Sequence, residues 1–210
     1  EIGNRVGEAV SLSRLGEIAK TRGGSNEAVR LHSESLAIKR EIGNRVGEAS
    51  SLNNLGNIAY TRGDLDEAER LHNENLTLFR EIGHRQGEAD SLGNLGNIAQ
   101  TRGDLDEAER LQNESLAIQR EIGHRQGEAT SLNGLGIIAE TRGDLDEAER
   151  LHKESLTLFR EIGHREGEST SLGNLGNIAR TRGDLAEAER LFEQSRAIER
   201  EMGIDDEESD

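Results

Sequence analysis

The feature that most constrains this chain is a period of forty residues. Copies begin at Glu1, Glu41, Glu81, Glu121 and Glu161, and a ten-residue end follows from Glu201. Each copy reads approximately E-I-G-x-R-x-G-E-A-x-S-L-x-x-L-G-x-I-A-x-T-R-G-D-L-D-E-A-E-R-L-x-x-E-S-L-x-I-x-R. A fixed period of this size signals a solenoid, in which each unit buries its apolar face against its neighbours. Composition fits that reading. Hydrophobic residues make up only 32% of the chain, low for a domain built on one central core. They nevertheless recur too regularly for a disordered segment.

Two helices are readable in each copy, and the second copy shows them well. Helix A is expected from about Arg45 to Thr61, where Ala49, Leu52, Leu55, Gly56 and Ala59 share one helical face. Gly63 then permits a turn. Asp64 and Glu67 make a D-x-x-E start for helix B, with Asp66 and Glu69 near its positive end. Helix B continues through Ala68, Leu71, Leu76 and Leu78 to about Ile82, and Gly83 stops it. Most of the 25 glycines are explained in this way, at turns, in a first helical turn or at a close helix contact, so no phosphate-binding loop is expected.

The string L-x-x-L-G-x-I-A followed by G-D-x-x-E-A resembles the tetratricopeptide repeat, with Leu52, Leu55, Gly56, Gly63 and Ala68 at its signature places. The usual unit has about 34 residues and ends near a proline; this chain has no proline and a unit of 40. Its extension, I-G-x-R-x-G-E-A, is similar to the long-repeat subclass of Pins-type adaptors, kinesin light chains and bacterial signalling proteins. The resemblance implies an all-α fold, a right-handed α-solenoid of five stacked helix-turn-helix repeats. It would be one domain over residues 1–203, with repeats 1–40, 41–80, 81–120, 121–160 and 161–200, followed by an acidic tail at 204–210. It also implies that helix A lines an inner, concave wall and that the module binds a protein or peptide.

Five copies in one chain can be compared with one another. On a helical wheel, Glu48, Ala49, Ser51, Leu52, Leu55, Gly56, Ile58 and Ala59 are unchanged or nearly so and fill roughly 180°. The varying positions, Ser50, Asn53, Asn54, Asn57 and Tyr60, fall together in an opposite arc of roughly 120°. That arc is rich in amides: Asn53, Asn54, Asn57, Asn94, Asn97, Gln100, Asn133, Asn174 and Asn177. Asparagine competes with the helical backbone, so its repeated use in mid-helix asks for a reason. Its side chain carries a donor and an acceptor side by side, matching a peptide group. A ladder of such amides can hold an extended chain by its backbone. The variable neighbours would then read side chains: Arg14, Asp90 and Arg180 by charge, Tyr60 by stacking, Ile137 by apolar contact. Solvent-facing drift is the plainer account of the same variation. The matching places Ser13, Asn53, Gly93, Asn133, Gly173, Glu17, Asn57, Asn97, Ile137 and Asn177 hold no cation, so a carboxylate clamp of the chaperone-binding kind lacks its charge.

The formal net charge of −16 argues against nucleic acid and anionic membrane surfaces as partners. No run of about 18 apolar residues is present to span a bilayer. Cysteine is absent, which fits a reducing compartment, and a cytoplasmic location is expected. No cofactor and no metal are expected. His84, His124 and His164 recur a copy apart, about 10 Å or more in stacked helices, too far to share one ion. They read as surface or capping residues, and His32, His72 and His152 as packing residues on helix B. D-L-D-E-A-E lacks the ligand alternation of a calcium loop and reads as a helix cap. No nucleophile motif stands out, so enzymatic activity is not expected.

At the far end, Arg196 replaces Leu36, Leu76, Leu116 and Leu156, as a soluble cap would require. At the near end, Glu1-Ile2-Gly3 corresponds to the end of a missing helix B, which suggests a fragment and an exposed leucine face open to self-association. The expected function is a non-catalytic scaffold that binds a protein or extended peptide on an Asn-rich face. The competing reading is a self-assembling or engineered repeat module without a peptide ligand.

Overall fold

The computed structural model describes residues 2–203; the acidic tail expected at 204–210 lies outside the described residues. Among these, the chain is all-α, a repeated helix-turn-helix arrangement with one helix pair per forty-residue copy. The A helices are α1 (Ile2–Thr21), α3 (Arg45–Thr61), α5 (Arg85–Arg102), α7 (Arg125–Thr141) and α9 (Arg165–Thr181). The B helices are α2 (Ser25–Glu41), α4 (Leu65–Glu81), α6 (Leu105–Glu121), α8 (Leu145–Glu161) and α10 (Leu185–Glu201). The residues form two compact units, one up to Ile98 and one from Ala99, divided inside α5. In the first, α2 packs against α1 and α3, and α3 against α4. In the second, α6 through α10 pack in chain order, each on the next.

The turns are backbone-determined. Gly63 sits at φ 77°, where a side chain would be strained. Its N–H donates to the Tyr60 carbonyl at 2.9 Å, and the Asp64 N–H donates to the Ala59 carbonyl at 3.0 Å. These bonds close the end of α3 in Schellman fashion. The expected capping box on α4 is only half made. Asp64 Oδ1 accepts from the Glu67 N–H at 3.3 Å. The Glu67 carboxylate turns outward to Arg70 at 2.7 Å, because the Asp64 N–H is already spent on Ala59. The expected turn at Gly3 is also absent: α1 runs unbroken from Ile2 through Gly3 and Asn4.

The two faces of helix A separate as the sequence predicts. Ala49, Ser51, Leu52, Leu55, Gly56, Ile58 and Ala59 are buried, and so is Glu48. That carboxylate is held from both sides, by Arg40 Nε at 2.9 Å and by Arg45 at 3.0 Å. Glu128 repeats the arrangement with Arg120 and Arg125, and Glu168 with Arg160 and Arg165. Each links the end of one copy's helix B to the next copy's helix A. In α1, Leu15 and Ile18 are 51% and 48% exposed, whereas their equivalents Leu55 and Ile58 are 7% and 3% exposed. At the other end, Arg196 is exposed.

Candidate functional site

The candidate site is the outward arc of the A helices, taken within each unit separately. In the first unit, Arg14, Tyr60, Asp90 and Asn97 are exposed, and Asn53, Asn54, Asn57 and Asn94 are half-buried. In the second, Arg180 is exposed, while Gln100, Asn133, Ile137, Asn174 and Asn177 are half-buried.

The structure gives several of these amides a role the sequence did not disclose: they bond from copy to copy. Asn94 Nδ2 donates to Asn53 Oδ1 at 3.3 Å, and Asn174 Nδ2 to Asn133 Oδ1 at 2.9 Å. Asn54 Nδ2 donates to Glu17 Oε1 at 2.6 Å. Asn133 Oδ1 is also 2.8 Å from the ring nitrogen Nδ1 of His152, and Asn94 Nδ2 approaches His72 Nδ1 at 3.5 Å. The amides therefore join neighbouring A helices and reach the polar edge of a histidine beneath them. The sequence shows the matching residues only once the register of one copy on the next is known. The thirteenth residue of one copy and the fourteenth of the next are Asn53 with Asn94 and Asn133 with Asn174, whereas Ser13 stands before Asn54, which turns to Glu17 instead.

The histidines under the arc are more deeply set than packing residues at a partly open surface would be. His32, His72 and His152 are all but inaccessible. Each ring fills space left by a glycine on the A helix it packs against. A Cβ on Gly56 would lie 2.7 Å from His72 Nε2, and one on Gly136 would lie 2.6 Å from the His152 ring. Burial pushes both imidazoles down to about 4 and lowers His32 as well. Gln112 and Phe192 hold the same slot in the third and fifth copies, so the slot asks for a flat side chain rather than for an imidazole.

The other three histidines precede A helices. His84 Nδ1 accepts from the Gly87 N–H and His164 Nδ1 from the Gly167 N–H, each at 2.9 Å, as Asn44 Oδ1 does from Gly47. His124 instead sets its Nδ1 2.8 Å from Gln119 Oε1. Among the described residues, no three metal-ligating side chains converge. Nor is any helix among them long and apolar enough to cross a membrane. Arg180 lies over the Phe192 ring at 5.7 Å and donates to Asn177 Oδ1 at 2.9 Å, so its guanidinium is held across the arc.

The fold has solved counterparts. BtubC (BKLC) from P. vanneervenii is 18% identical with a TM-score of 0.75, covering 100% of this chain and 94% of that one. A putative kinesin light chain from Podosopora anserina, with nearly identical TPR-like repeats, is 21% identical with a TM-score of 0.70, covering 93% and 96%. A Rap protein complexed with Competence and Sporulation Factor is 13% identical with a TM-score of 0.83, covering 92% of this chain and 54% of that one. No curated protein matches the chain at a significant level. Residues 47–121 and 127–201 match the tetratricopeptide repeat family. With the signature leucines and alanines buried and the glycines at turns and helix contacts, this chain belongs to that family.

Proposed function

We propose that this protein is a non-catalytic scaffold that captures a protein or extended peptide on the outward arc of its A helices. One observation carries the reading. The residues that differ between copies stay at the surface on that arc, while the opposite half of the same helix is buried and nearly constant. Arg14, Tyr60, Asp90 and Arg180 supply charge and stacking, and Ile137 supplies an apolar contact. A primary amide has four hydrogen-bonding sites, and the bonds between copies use one or two of them. On this reading Asn53, Asn54, Asn57, Asn94, Asn97, Gln100, Asn133, Asn174 and Asn177 present amide groups to a peptide backbone. The Rap neighbour complexed with Competence and Sporulation Factor supports the reading by analogy of fold. The acidic balance of the chain favours a protein partner over nucleic acid or an anionic membrane.

The test uses the full chain as bait in three forms: wild type, Tyr60→Ala with Arg180→Ala, and Glu189→Ala on helix B. Recovered proteins are identified by mass spectrometry. A partner lost with the helix A changes and kept with Glu189→Ala is the expected result. The same partners on all three baits would overturn the proposal.

The exposed Leu15 and Ile18 favour a second reading, self-association through α1 with a second copy of the chain. Light scattering over a concentration series should show a larger species that Leu15→Glu abolishes. A monomer at every concentration rules it out.

A further inference from the structure

The B helices carry a feature that repeats in some copies and fails in the last. In the second copy, Glu74 stands between Arg40 and Arg70, at the end of α2 and within α4, and pairs with both. In the fourth, Glu154 stands between Arg120 at 2.8 Å and Arg150 at 3.1 Å. One carboxylate thus bridges two guanidiniums contributed by successive B helices. In the fifth copy the bridging residue is Gln194. Arg160 keeps its bond to Glu168 and Arg190 its pair with Glu187, and among the described residues neither has a second carboxylate. Two guanidiniums remain set around a position that an acid occupies in the sister copies.

The groove beside this position differs accordingly. Between α6 and α8 the groove is about 440 Å³ and is lined by three arginines and four carboxylates. Between α8 and α10 it is about 500 Å³, and four cations (Lys153, Arg160, Arg182 and Arg190) face three carboxylates. In a chain with a net charge of −16, this groove alone of the two carries a cationic excess. Its floor is apolar, made of Leu156, Leu172, Leu175 and Leu191, all buried.

We infer that the groove between α8 and α10 is a second recognition site, in which Arg160 and Arg190 take the side-chain carboxylate of an acidic, leucine-rich segment of a partner protein. The segment's carboxylate fills the place that Glu154 fills one copy earlier, and its neighbouring apolar side chain rests on the leucine floor. Charge complementarity selects the occupant. A carboxylate is the group that the sister grooves place between the same two arginines, and an arginine pair receives it with charge-assisted, geometrically specific bonds. The site lies between two B helices, over the buried face of α9, and uses none of the residues of the helix A arc.

The test titrates the full chain with the peptide Ac-Leu-Glu-Leu-Leu-NH2 and with its Gln counterpart, following the side-chain Nε–H signals of Arg160 and Arg190 by NMR. The Glu peptide should move both signals, and the Gln peptide should bind about tenfold more weakly. Gln194→Glu recreates the bridge of the second and fourth copies, so the fold is kept. It should cost the Glu peptide about tenfold in affinity by filling the site from within. Arg160→Gln with Arg190→Gln should do the same by removing the donors. Equal binding of both peptides, an unmoved pair of arginine signals, or full affinity in Gln194→Glu would each overturn the proposal. If deletion of residues 204–210 alone moves the two signals, the occupant is the chain's own acidic end and the partner assignment fails.

Discussion

An asparagine on a helix surface looks like a waste of helix propensity until its neighbour in the next copy is in view. Asn174 and Asn94 each donate to an amide one copy back, and a hydrogen bond of this kind contributes about 1 kcal/mol. Asn174→Ala should therefore lower stability by about that amount, while Asn57→Ala, which breaks no amide bond between copies, should change it less. Urea denaturation followed by circular dichroism measures both; equal losses would show that the inter-copy amide bond contributes nothing. Replacing Asn54, Asn94 and Asn174 together would for the same reason loosen the stack, so partner capture is tested at Tyr60 and Arg180 instead. Which half of each A helix faces inward was legible from periodicity alone, because Leu52, Leu55 and Ile58 repeat with the helical turn. The amide pairing was not, because its partners are 41 residues apart and only the register of one copy on the next brings them together. The packing role of His32, His72 and His152 was legible, but their depth was not, for a related reason. Their depth depends on glycines such as Gly56 and Gly136 on another helix, and helix B read alone gives no sign of that space.

Helix limits were readable from the same local chemistry that produces them. Glycines in the left-handed region end the helices, and Asp64, Asp104, Asp144 and Asp184 accept from the N–H three residues on. The exception is Gly3, where the sequence offers the same signal and α1 continues through it. What ties element to element is a buried carboxylate rather than the many exposed ion pairs. Glu128 is nearly inaccessible and accepts from Arg120 on α6 and Arg125 on its own helix. Glu147 and Arg150 form an exposed pair within α8, where solvent screens the attraction. Glu128→Gln should cost about 1–3 kcal/mol, the penalty for disrupting a buried charge-assisted network, and Glu147→Gln no more than about 0.5 kcal/mol. Chemical denaturation at low and moderate salt separates the two. Equal effects would mean that the links between copies are no stronger than surface pairs.

For the molecule as a whole, stability in a repeat array is close to a sum over copies and their interfaces, so a penalty repeated in several copies accumulates. Three copies bury a histidine, and burial favours its neutral form. The sign follows from linkage: the folded value for His72 and His152 is about 4, against about 6.5 in the unfolded chain. Above about pH 6.5 both states bind no proton there and stability does not vary with pH on this account. As pH falls through the interval towards 4, the unfolded chain takes up protons that the folded chain refuses, and stability drops by about 1.4 kcal/mol per pH unit per histidine. Below the folded value the loss levels off. Carboxylates such as Glu67, Glu107 and Glu147 are held below their ordinary value by hydrogen bonds from Arg70, Arg110 and Arg150. Their contribution is lost only as pH falls below the ordinary carboxylate range, which leaves the interval between pH 6.5 and 4.5 to the histidines. Gln112 fills the same slot in the third copy without a titratable group, so the chain itself supplies the control. His72→Gln with His152→Gln should leave stability at pH 7 within about 1–2 kcal/mol of wild type and flatten its decline towards pH 5 by up to about 2.8 kcal/mol per pH unit. Urea midpoints at pH 7, 6 and 5 for the two proteins decide it: parallel declines would mean that the buried imidazoles are not what acid attacks.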